Sequence, residues 1–243
     1  MPLNTVTPYT SSTQTKKEQV EQMFDNIAPT YDFLNHLLSA GIDRRWRRRA
    51  IDAIATIKPS VILDLATGTG DFAIEALRLQ PTQVIGFDIS DQMMNMGRIK
   101  AKNLNVEKIL TFTKGDSENM PFADNTFDAI TVGFGVRNFE NLIKGLQEMH
   151  RVLRPGGMVA ILEVSKPTSF PMRQFYSIYF HYILPLVGRL FSKDHRAYTY
   201  LPESVQAFPQ GTAFVKILEQ VGFQSVTYQP LTAGTCAFYI AHK

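Results

Sequence analysis

The sequence has only one cysteine, Cys236, among its 243 residues. A disulfide framework or a thiolate metal cluster needs several cysteines, so the sequence excludes both. We interpret Cys236, which falls in a probable strand, as a small buried hydrophobic residue. The chain also offers no His or Cys residues with the spacing of metal ligands, and we expect no bound metal.

Long apolar stretches and strong charge are lacking too. No uninterrupted apolar run reaches the roughly 18 residues that indicate a transmembrane helix, and residues 1–15 are polar, without the apolar core of a signal peptide. The formal net charge of +3 is too weak to indicate a nucleic-acid-binding protein. We therefore expect a cytoplasmic protein whose membrane contact, if it has any, is peripheral.

The stretch from Val61 to Phe72 predicts a strand, a glycine turn and a helix. Residues 61–65 form an apolar run, Gly68 and Gly70 interrupt it, and helical spacing begins at Phe72. In a parallel sheet such a turn lies at the carboxyl end of the first strand, where α/β sheets bind ligands. Glycines also let a ligand approach the backbone, so we predict a ligand-binding turn.

Two acidic residues strengthen that prediction. Asp64 lies at the end of the first strand, where a buried carboxylate needs a partner that a ligand amine would supply. Asp88 ends the next apolar run, where nucleotide-binding folds hold a ribose diol. NAD and S-adenosylmethionine both contain that ribose, and Gly68-x-Gly70-x-x-Ala73 satisfies the loose dinucleotide fingerprint. A nucleotide-dependent oxidoreductase is therefore an alternative at this point.

Alternating patterns along the chain predict one α/β domain. We expect strands at 61–65, 84–88, 109–114, 127–133 and 158–164, and helices at 71–79, 91–101 and 141–153. The chain closes with two strands, 223–229 and 235–241, joined tightly enough to be antiparallel. A second mononucleotide half has no room after residue 165. This layout favours the Rossmann-like class I fold of S-adenosylmethionine-dependent methyltransferases over a dinucleotide-binding fold.

The remaining segments are assigned to helices around that core. After a flexible terminus (1–15), a capping box at Thr15–Glu18 starts a helix that ends at Pro29, a second helix covers 31–38, and Asp43 caps a third. We expect 16–57 to form a lid on the cofactor-binding core (58–165) and 166–222 to be a helical insertion before the terminal hairpin (223–243). The arginines at 44, 45, 47, 48 and 49 are interpreted as a solvated face, with attraction to anionic lipid or a phosphorylated partner as the alternative.

Four motifs are more specific than the fold: Met23-Phe24-Asp25-x-Ile27-Ala28-x-x-Tyr31-Asp32, Asp64-Leu65-Ala66-x-Gly68-Thr69-Gly70-Asp71, Gly133-Phe134-Gly135-Val136-Arg137-Asn138 and Arg151-Val152-Leu153-Arg154-Pro155-Gly156-Gly157. With them the chain, from about Lys17 onward, resembles the quinone C-methyltransferases of menaquinone and ubiquinone synthesis. Ala66 replaces the first glycine of the general methyltransferase motif, as is usual in that family. Gly133 stands where some relatives have a serine.

The resemblance implies S-adenosylmethionine as the cofactor and assigns its contacts. Thr69 would touch the methionine moiety, Asp88 would bind the ribose, and Asp116 and Ser117 would bind the adenine edge. Asp64, Gly68 and Gly70 complete the expected cofactor site.

The resemblance further implies methylation of a quinol ring carbon, most simply that of demethylmenaquinol. The ubiquinone precursor 2-polyprenyl-6-methoxy-1,4-benzoquinol stays open as a substrate. Carbon methylation needs a phenolate whose charge is delocalised onto the ring. We assign phenolate stabilisation to Arg137, orientation to Asn138 and proton relay to Tyr31 or a bound water, with His181 as an alternative base.

Partners follow from the same resemblance and from one aromatic segment. Residues 170–191 are dense in aromatics and poor as a membrane span, so they either cover the sheet or line a passage for a polyprenyl tail at an anionic bilayer surface. The sequence leaves a homodimer open. A third class, an RNA-directed or non-catalytic methyltransferase-like module, finds no basic appendage or stacking aromatics in support.

Overall fold

The computed structural model describes residues 6–39, 41–179, 182, 194 and 196–243, with the backbone alone at 34–38. Its centre is a seven-stranded sheet with the order β3-β2-β1-β4-β5-β7-β6. The strands are β1 (Val61–Leu65), β2 (Gln83–Asp88), β3 (Leu110–Lys114), β4 (Phe127–Gly133), β5 (Leu153–Val164), β6 (Gln224–Leu231) and β7 (Cys236–His242). Strands β1 to β5 pair in parallel, and β7 pairs antiparallel with both β5 and β6. The predicted parallel sheet with an antiparallel terminal hairpin is confirmed.

The described helices are α1 (Lys16–Ser39), α2 (Ile42–Ile54), α3 (Asp71–Ala76), α4 (Asp91–Asn103), α5 (Leu142–Val152), α6 (Met172–Ile178), α7 (Arg196–Ala207) and α8 (Thr212–Val221). A 3₁₀ turn at Val136–Asn138 follows β4. Within the described residues, no helix combines the length and the apolar character that crossing a bilayer requires.

Strand β1 shows how the sheet is held between two helical layers. Its side chains alternate between the faces of the sheet. Leu63 and Leu65 pack in a core cluster with residues of α5 and α8, whereas Ile62 packs in a second cluster with residues of α2 and α3. Each such side chain, taken out of water, contributes about 1.5 to 3 kcal/mol. The sheet therefore forms a rigid base whose strand ends are fixed in space.

Strand β5 begins earlier than predicted. It starts at Leu153, which pairs with Phe127 of β4, and the next pair is Met158 with Ala129. Five positions of β5 thus correspond to two positions of β4, which marks a bulge. Pro155 cannot donate a ladder hydrogen bond, and Gly156 has a positive φ of 78°. The Pro-Gly-Gly segment is therefore an irregular first part of the strand.

Helix α1 contradicts the predicted break at Pro29, because it runs without interruption for 24 residues with Pro29 inside. A proline in a helix interior costs about 3 kcal/mol. Val20, Met23 and Ile27 offset that cost by packing in a third cluster with tyrosines of α7. The predicted capping box is confirmed, since the Thr15 N–H donates to Glu18 Oε2 at 2.8 Å and the Glu18 N–H donates to Thr15 Oγ1 at 3.3 Å.

Helix α2 corrects two further predictions. Its N-cap is Gly41, which has a positive φ of 72°, and Asp43 lies inside the first turn. Asp43 is buried because Arg47 donates to its Oδ2 at 2.6 Å. The arginine run is therefore not a uniform solvated face: four of its members are exposed (44, 45, 48 and 49), but Arg47 is buried.

Candidate active site

The glycine turn joins β1 to α3 and needs left-handed backbone. Gly68 and Gly70 have φ values of 55° and 80°, and Ala66 adopts a φ of 54°, which costs a residue with a Cβ about 1 kcal/mol or more. A Cβ on Gly70 would lie 2.9 Å from the Phe112 ring. The turn thus depends on glycine for conformation at 68 and for both conformation and packing at 70.

Asp64 is held by the protein itself. Its carboxylate accepts from Thr67 Oγ1 at 2.6 Å, from Thr131 Oγ1 at 2.7 Å and from the Ala73 N–H at 3.0 Å. Burial raises the pKa of the Asp64 carboxyl to about 6, and the three hydrogen bonds oppose that rise. The argument that this carboxylate needs a ligand amine as its partner is therefore wrong. Asp64 ties β1, β4 and α3 together around the turn.

A first cavity of about 720 Å³ lies at the carboxyl ends of β1, β2 and β4. It is lined in part by Gly68, Asp88, Asp116, Ser117 and Asn138. With Tyr31, which also lines this cavity, six predicted site residues are thus brought together here.

Asp88 is set for two further hydrogen bonds. Its Oδ2 accepts from the Gly68 N–H at 2.8 Å and its Oδ1 accepts from the Ser90 N–H at 2.8 Å. Burial raises the pKa of Asp88, and these backbone donors oppose that rise. Each carboxylate oxygen can accept more than one hydrogen bond, so the pair suits two neighbouring hydroxyls.

Asp116 lies at the same cavity and is already paired. Its Oδ1 accepts from the Glu118 N–H at 2.9 Å, and its Oδ2 forms an ion pair with Lys17 of α1. The pairing raises the pKa of Lys17. Sequence reasoning missed Lys17, because a lysine near a helix start carries no signal for a partner 99 positions away.

A second cavity of about 770 Å³ lies between α1, α7 and the segment after β4. Its lining is mostly aromatic and aliphatic, with Arg137 and Asp43 as polar members: Met23, Phe24, Ile27, Tyr31, Asp43, Phe134, Arg137, Val164, Ala197, Tyr198, Tyr200 and Leu201. Phe24, Tyr31 and Phe134 line the first cavity as well. The two cavities therefore share a wall, and Phe134 holds its place in it with a strained positive φ of 60°.

Arg137 is buried beside a buried acid. Its Nη1 donates to Glu163 Oε1 at 2.8 Å and to the Phe134 carbonyl. Its backbone N–H donates to Glu163 Oε2 at 3.3 Å. Burial lowers the pKa of Arg137, but Glu163 outweighs it and the pKa is raised. Glu163 was not predicted, although an acid that ends a long apolar strand is the same signal that singled out Asp64.

Asn138 and Tyr31 complete the junction. The Tyr200 hydroxyl donates to Asn138 Oδ1 at 3.1 Å, which links α7 to the segment after β4. Burial raises the pKa of Tyr31 to about 12, and the nearby cations Arg137 and Arg47 oppose that rise. Tyr31 is therefore protonated at neutral pH, and it can take up a proton only as its own hydroxyl proton leaves. His181, the alternative base, lies outside the described residues.

A third, smaller cavity of about 400 Å³ lies behind the glycine turn. Its polar lining includes Arg47, Asp64, Thr67, Thr69 and Asp71. Thr69 donates to Asp32 of α1, and its Oγ1 also accepts from Lys100 Nζ at 3.1 Å. Thr69 thus lines a different cavity from Asp88 and Asp116. Gly70, another predicted site residue, is not among the described residues that line these three cavities.

Helix α1 is fastened over the first cavity by a row of polar contacts with α4, β3 and the following turns. The Asp25 carboxylate accepts from Ser90 Oγ at 2.6 Å, and ion pairs flank this contact on both sides: Lys17–Asp116, Glu21–Lys114 at 2.6 Å and Asp32–Lys100 at 2.6 Å. The helix lies within residues 16–57, whose role as a lid stays a prediction, and it contributes Lys17, Val20, Phe24 and Tyr31 to the lining of the first cavity.

Comparison with known proteins points to one family. The model of the ubiE/COQ5 methyltransferase family matches residues 12–243. A demethylmenaquinone methyltransferase of Bacteroides fragilis is 52% identical, covering 100% of this chain and 99% of its own length. One of Porphyromonas gingivalis is 47% identical with 98% of both covered. The ubiquinone/menaquinone biosynthesis C-methyltransferase UbiE of Geobacter sulfurreducens is 44% identical, with 94% and 90% covered.

Solved structures with low identity share the fold. A possible histamine N-methyltransferase of Thermotoga maritima has a TM-score of 0.58 at 17% identity and covers 91% of this chain and 99% of its own. A putative S-adenosylmethionine-dependent methyltransferase of Methanococcus maripaludis has a TM-score of 0.58 at 20% identity, with 97% of both covered. The class I methyltransferase fold is thereby confirmed.

Proposed function

The chain belongs to the ubiE/COQ5 methyltransferase family, and from this premise we propose that it methylates a ring carbon of a polyprenylated quinol, with demethylmenaquinol as the substrate. S-adenosylmethionine is the methyl donor. Relatives named demethylmenaquinone methyltransferase support this substrate. Relatives named for both ubiquinone and menaquinone biosynthesis keep the ubiquinone precursor as the alternative.

The observation that carries the proposal is the wall shared by the first cavity, which brings Asp88, Asp116 and Ser117 together, and the second cavity, whose lining is mostly aromatic and aliphatic. Methyl transfer needs donor and acceptor held in line within contact distance. One compartment with carboxylates for a nucleoside, next to another that suits an apolar ring, matches a nucleoside-containing donor and a quinol acceptor. A nucleotide-dependent oxidoreductase, the earlier alternative, gains no support from the family.

The residues of the first cavity fit the cofactor. Two carboxylate oxygens of Asp88, each already oriented by a backbone N–H, suit the ribose diol. Asp116 and Ser117, which follow β3, suit the adenine edge. When bound, S-adenosylmethionine supplies an already activated methyl group, so the protein's task is to position and ionise the quinol.

At the second cavity the protein's own groups prepare the acceptor. Arg137 donates to the quinol oxygen as it becomes a phenolate, and Glu163 keeps the buried guanidinium charge balanced and its fork oriented. Asn138, oriented by Tyr200, binds the second oxygen of the quinol ring and so fixes the orientation of the ring. Tyr31 stays protonated at neutral pH, so it relays by a concerted transfer in which its oxygen takes the quinol proton as its own hydroxyl proton passes to water.

A direct test uses methyl-labelled S-adenosylmethionine with two reduced acceptors, a short-tailed demethylmenaquinol and the matching ubiquinone precursor. We expect label in the naphthoquinol ring at a rate at least about tenfold higher than in the benzoquinol. Label in neither acceptor, with S-adenosylhomocysteine bound, would contradict the substrate assignment. Protection from thermal unfolding by NADH and not by S-adenosylhomocysteine would contradict the whole activity.

We further propose that the protein associates peripherally with a membrane surface, because the polyprenyl tail of such a substrate is apolar. Helix α6 turns Tyr176 toward the cluster with α1 and α7, whereas Phe175 is 64% exposed and the nearby Phe170 is 81% exposed. Arg45 and Arg49 are exposed beside Trp46. Exposed aromatics and arginines favour the interface of an anionic bilayer, which supports peripheral association.

A further inference from the structure

Lys16, the first residue of α1, is a buried lysine outside the contacts assigned to the cofactor and the quinol. It is only 5% exposed, although the next residue of the helix, Lys17, is partly exposed. A charged ammonium is costly to bury and is almost never found inside a protein without partners. The partners of Lys16 therefore indicate why it is buried.

Its ammonium group holds the backbone of the 3₁₀ turn Val136–Asn138 (the acceptor turn), which carries Arg137 and Asn138. The Lys16 Nζ donates to the Arg137 carbonyl at 3.3 Å and to the Phe139 carbonyl at 3.0 Å. These two carbonyls lie on either side of Asn138 in the chain. Carbonyls at the end of a helical turn have no partner within it, so the lysine supplies donors where the acceptor turn ends.

A second contact ties the start of α1 to the same segment. The backbone N–H of Lys16 donates to Glu140 Oε1 at 2.9 Å. Burial lowers the pKa of Lys16 to about 8, and the Arg137 cation adds to this decrease. The carboxylates of Glu140 and Glu118 oppose it. Lys16 is therefore mainly protonated at neutral pH, and its ammonium can donate to both carbonyls.

The acceptor turn is thus held from two sides. On the side of the sheet, Glu163 of β5 accepts from the backbone N–H and from Nη1 of Arg137. On the side of α1, Lys16 binds the carbonyls. The next residue of α1, Lys17, pairs with Asp116 at the first cavity. Consecutive residues of α1 therefore contact the acceptor side and the cofactor side.

Resting on the proposed function, we propose that Lys16 is a positioning residue for methyl transfer, which holds the acceptor turn against α1 and so sets Arg137 and Asn138 for the quinol. Lys16 is not among the described residues that line the three cavities, so it acts through the acceptor turn and not by touching a ligand. The seating of α1 over the cofactor then also aligns the acceptor groups. The competing explanation is that Lys16 only stabilises the start of α1.

The two explanations differ in their effect on catalysis. Lys16→Met keeps a long buried side chain and removes the three donors. We expect kcat with a short-tailed demethylmenaquinol to fall about tenfold or more, because hydrogen bonds from a charged group are the stronger ones. The KM for the quinol and the dissociation constant of S-adenosylhomocysteine should stay within about threefold. A purely structural lysine would lower the midpoint of thermal unfolding and leave kcat of the folded protein unchanged.

A double-mutant cycle with Tyr200→Phe tests whether the effect passes through the acceptor turn, because Tyr200 orients Asn138 from α7. Tyr200→Phe alone should lower kcat by roughly three- to tenfold. If Lys16→Met already displaces Asn138, adding Tyr200→Phe should lower kcat by less than about twofold further.

Lys144→Met is the matched control, because this lysine is exposed on α5, shortly after the same segment. Alone it should leave kcat unchanged, and the effect of Tyr200→Phe should be undiminished in its presence. Should Lys16→Met fail to fold, Lys16→Gln enters the same cycle and must show the same coupling, because its amide is uncharged and ends one bond short of the lysine nitrogen.

Normal kcat of a folded Lys16 variant, or effects of the two substitutions that simply multiply, would overturn the role of Lys16. A wild-type protein that transfers its labelled methyl group to neither quinol would instead overturn the proposed function, so the two failures are distinguishable.

Discussion

The wall that carries Asp88 and Asp116 and the wall that carries Arg137 and Asn138 are built differently. On the cofactor side, each carboxylate is oriented by backbone N–H groups at the end of a strand, such as that of Gly68. On the acceptor side, the guanidinium and the amide are oriented mainly by other side chains, Glu163 and Tyr200. Only a substitution to proline removes a backbone donor, so cofactor binding should tolerate substitutions around it better than acceptor chemistry does.

The largest expected effect lies on the acceptor side. Arg137→Lys keeps the positive charge but loses the planar fork that grips Glu163 and reaches the phenolate. We expect kcat to fall by about ten- to a thousandfold, because the lost interaction is strongest in the transition state. The dissociation constant of S-adenosylhomocysteine should stay within about threefold.

Arg154→Lys is the control for that change, since this arginine is partly exposed and pairs with Asp128 away from both cavities. Normal turnover of Arg137→Lys, or a loss of cofactor affinity alone, would contradict the assignment of Arg137 to the acceptor side.

The next effect is on the cofactor side. Asp88→Ala removes both acceptors for the ribose diol while the β2 backbone stays paired with β1 and β3. We expect S-adenosylhomocysteine affinity to fall at least about tenfold in a folded protein, measured by calorimetry. Asp91→Ala, on the exposed start of α4, should bind normally. Wild-type affinity of Asp88→Ala would refute the assignment of the ribose site.

The third prediction is that the protein binds an anionic bilayer through the acceptor side. Each arginine near an anionic surface contributes about 1 kcal/mol, so Arg45→Glu/Arg49→Glu should lower partitioning onto anionic vesicles by about tenfold or more. Turnover of a water-soluble short-tailed quinol should persist. Lys102→Glu/Lys108→Glu makes the same charge change on exposed residues near the opposite end of the sheet. Equal sedimentation of both variants with vesicles, or no binding by the wild type at low salt, would rule out this surface.

The smallest effect isolates a single side-chain contact. Tyr200→Phe removes the donor to Asn138 Oδ1 and leaves the packing of the ring. A neutral hydrogen bond of about 1 kcal/mol corresponds to a drop in kcat of roughly three- to tenfold with little change in KM. Tyr239→Phe, which loses a hydrogen bond from the Gly211 N–H, should change stability and not kcat. Identical kinetics for the two variants would remove Tyr200 from the acceptor site.

Groups fixed by local backbone were predictable from the sequence. Asp88 and the two turn glycines follow from apolar periodicity and from the rule that ligands bind at strand ends. Prediction failed where the structure depends on packing between distant parts of the chain. Pro29 was expected to end a helix, but the helix continues past it because its apolar face is buried. Arg47 was expected in solvent but is buried.

The same limit applies to the pairings at the candidate site. Tyr200 meets Asn138 across 62 positions of the chain, and Glu163 meets Arg137 across 26. No local pattern encodes such pairs, because the fold as a whole decides which side chains face each other. Asp64 shows the opposite error, in which a distant partner was expected and local ones were found. Its burial was predicted correctly, but two of its three hydrogen-bond donors come from the turn and the helix directly after it.

The position of α1 has a consequence for exchange kinetics. Because Phe24 and Tyr31 of this helix belong to the walls of both cavities, and its polar row spans from Asp116 to Lys100, a displacement of this one helix would open both compartments. Release of the used cofactor and release of the methylated quinol then share a barrier and respond together to ionic strength, which weakens ion pairs near the surface.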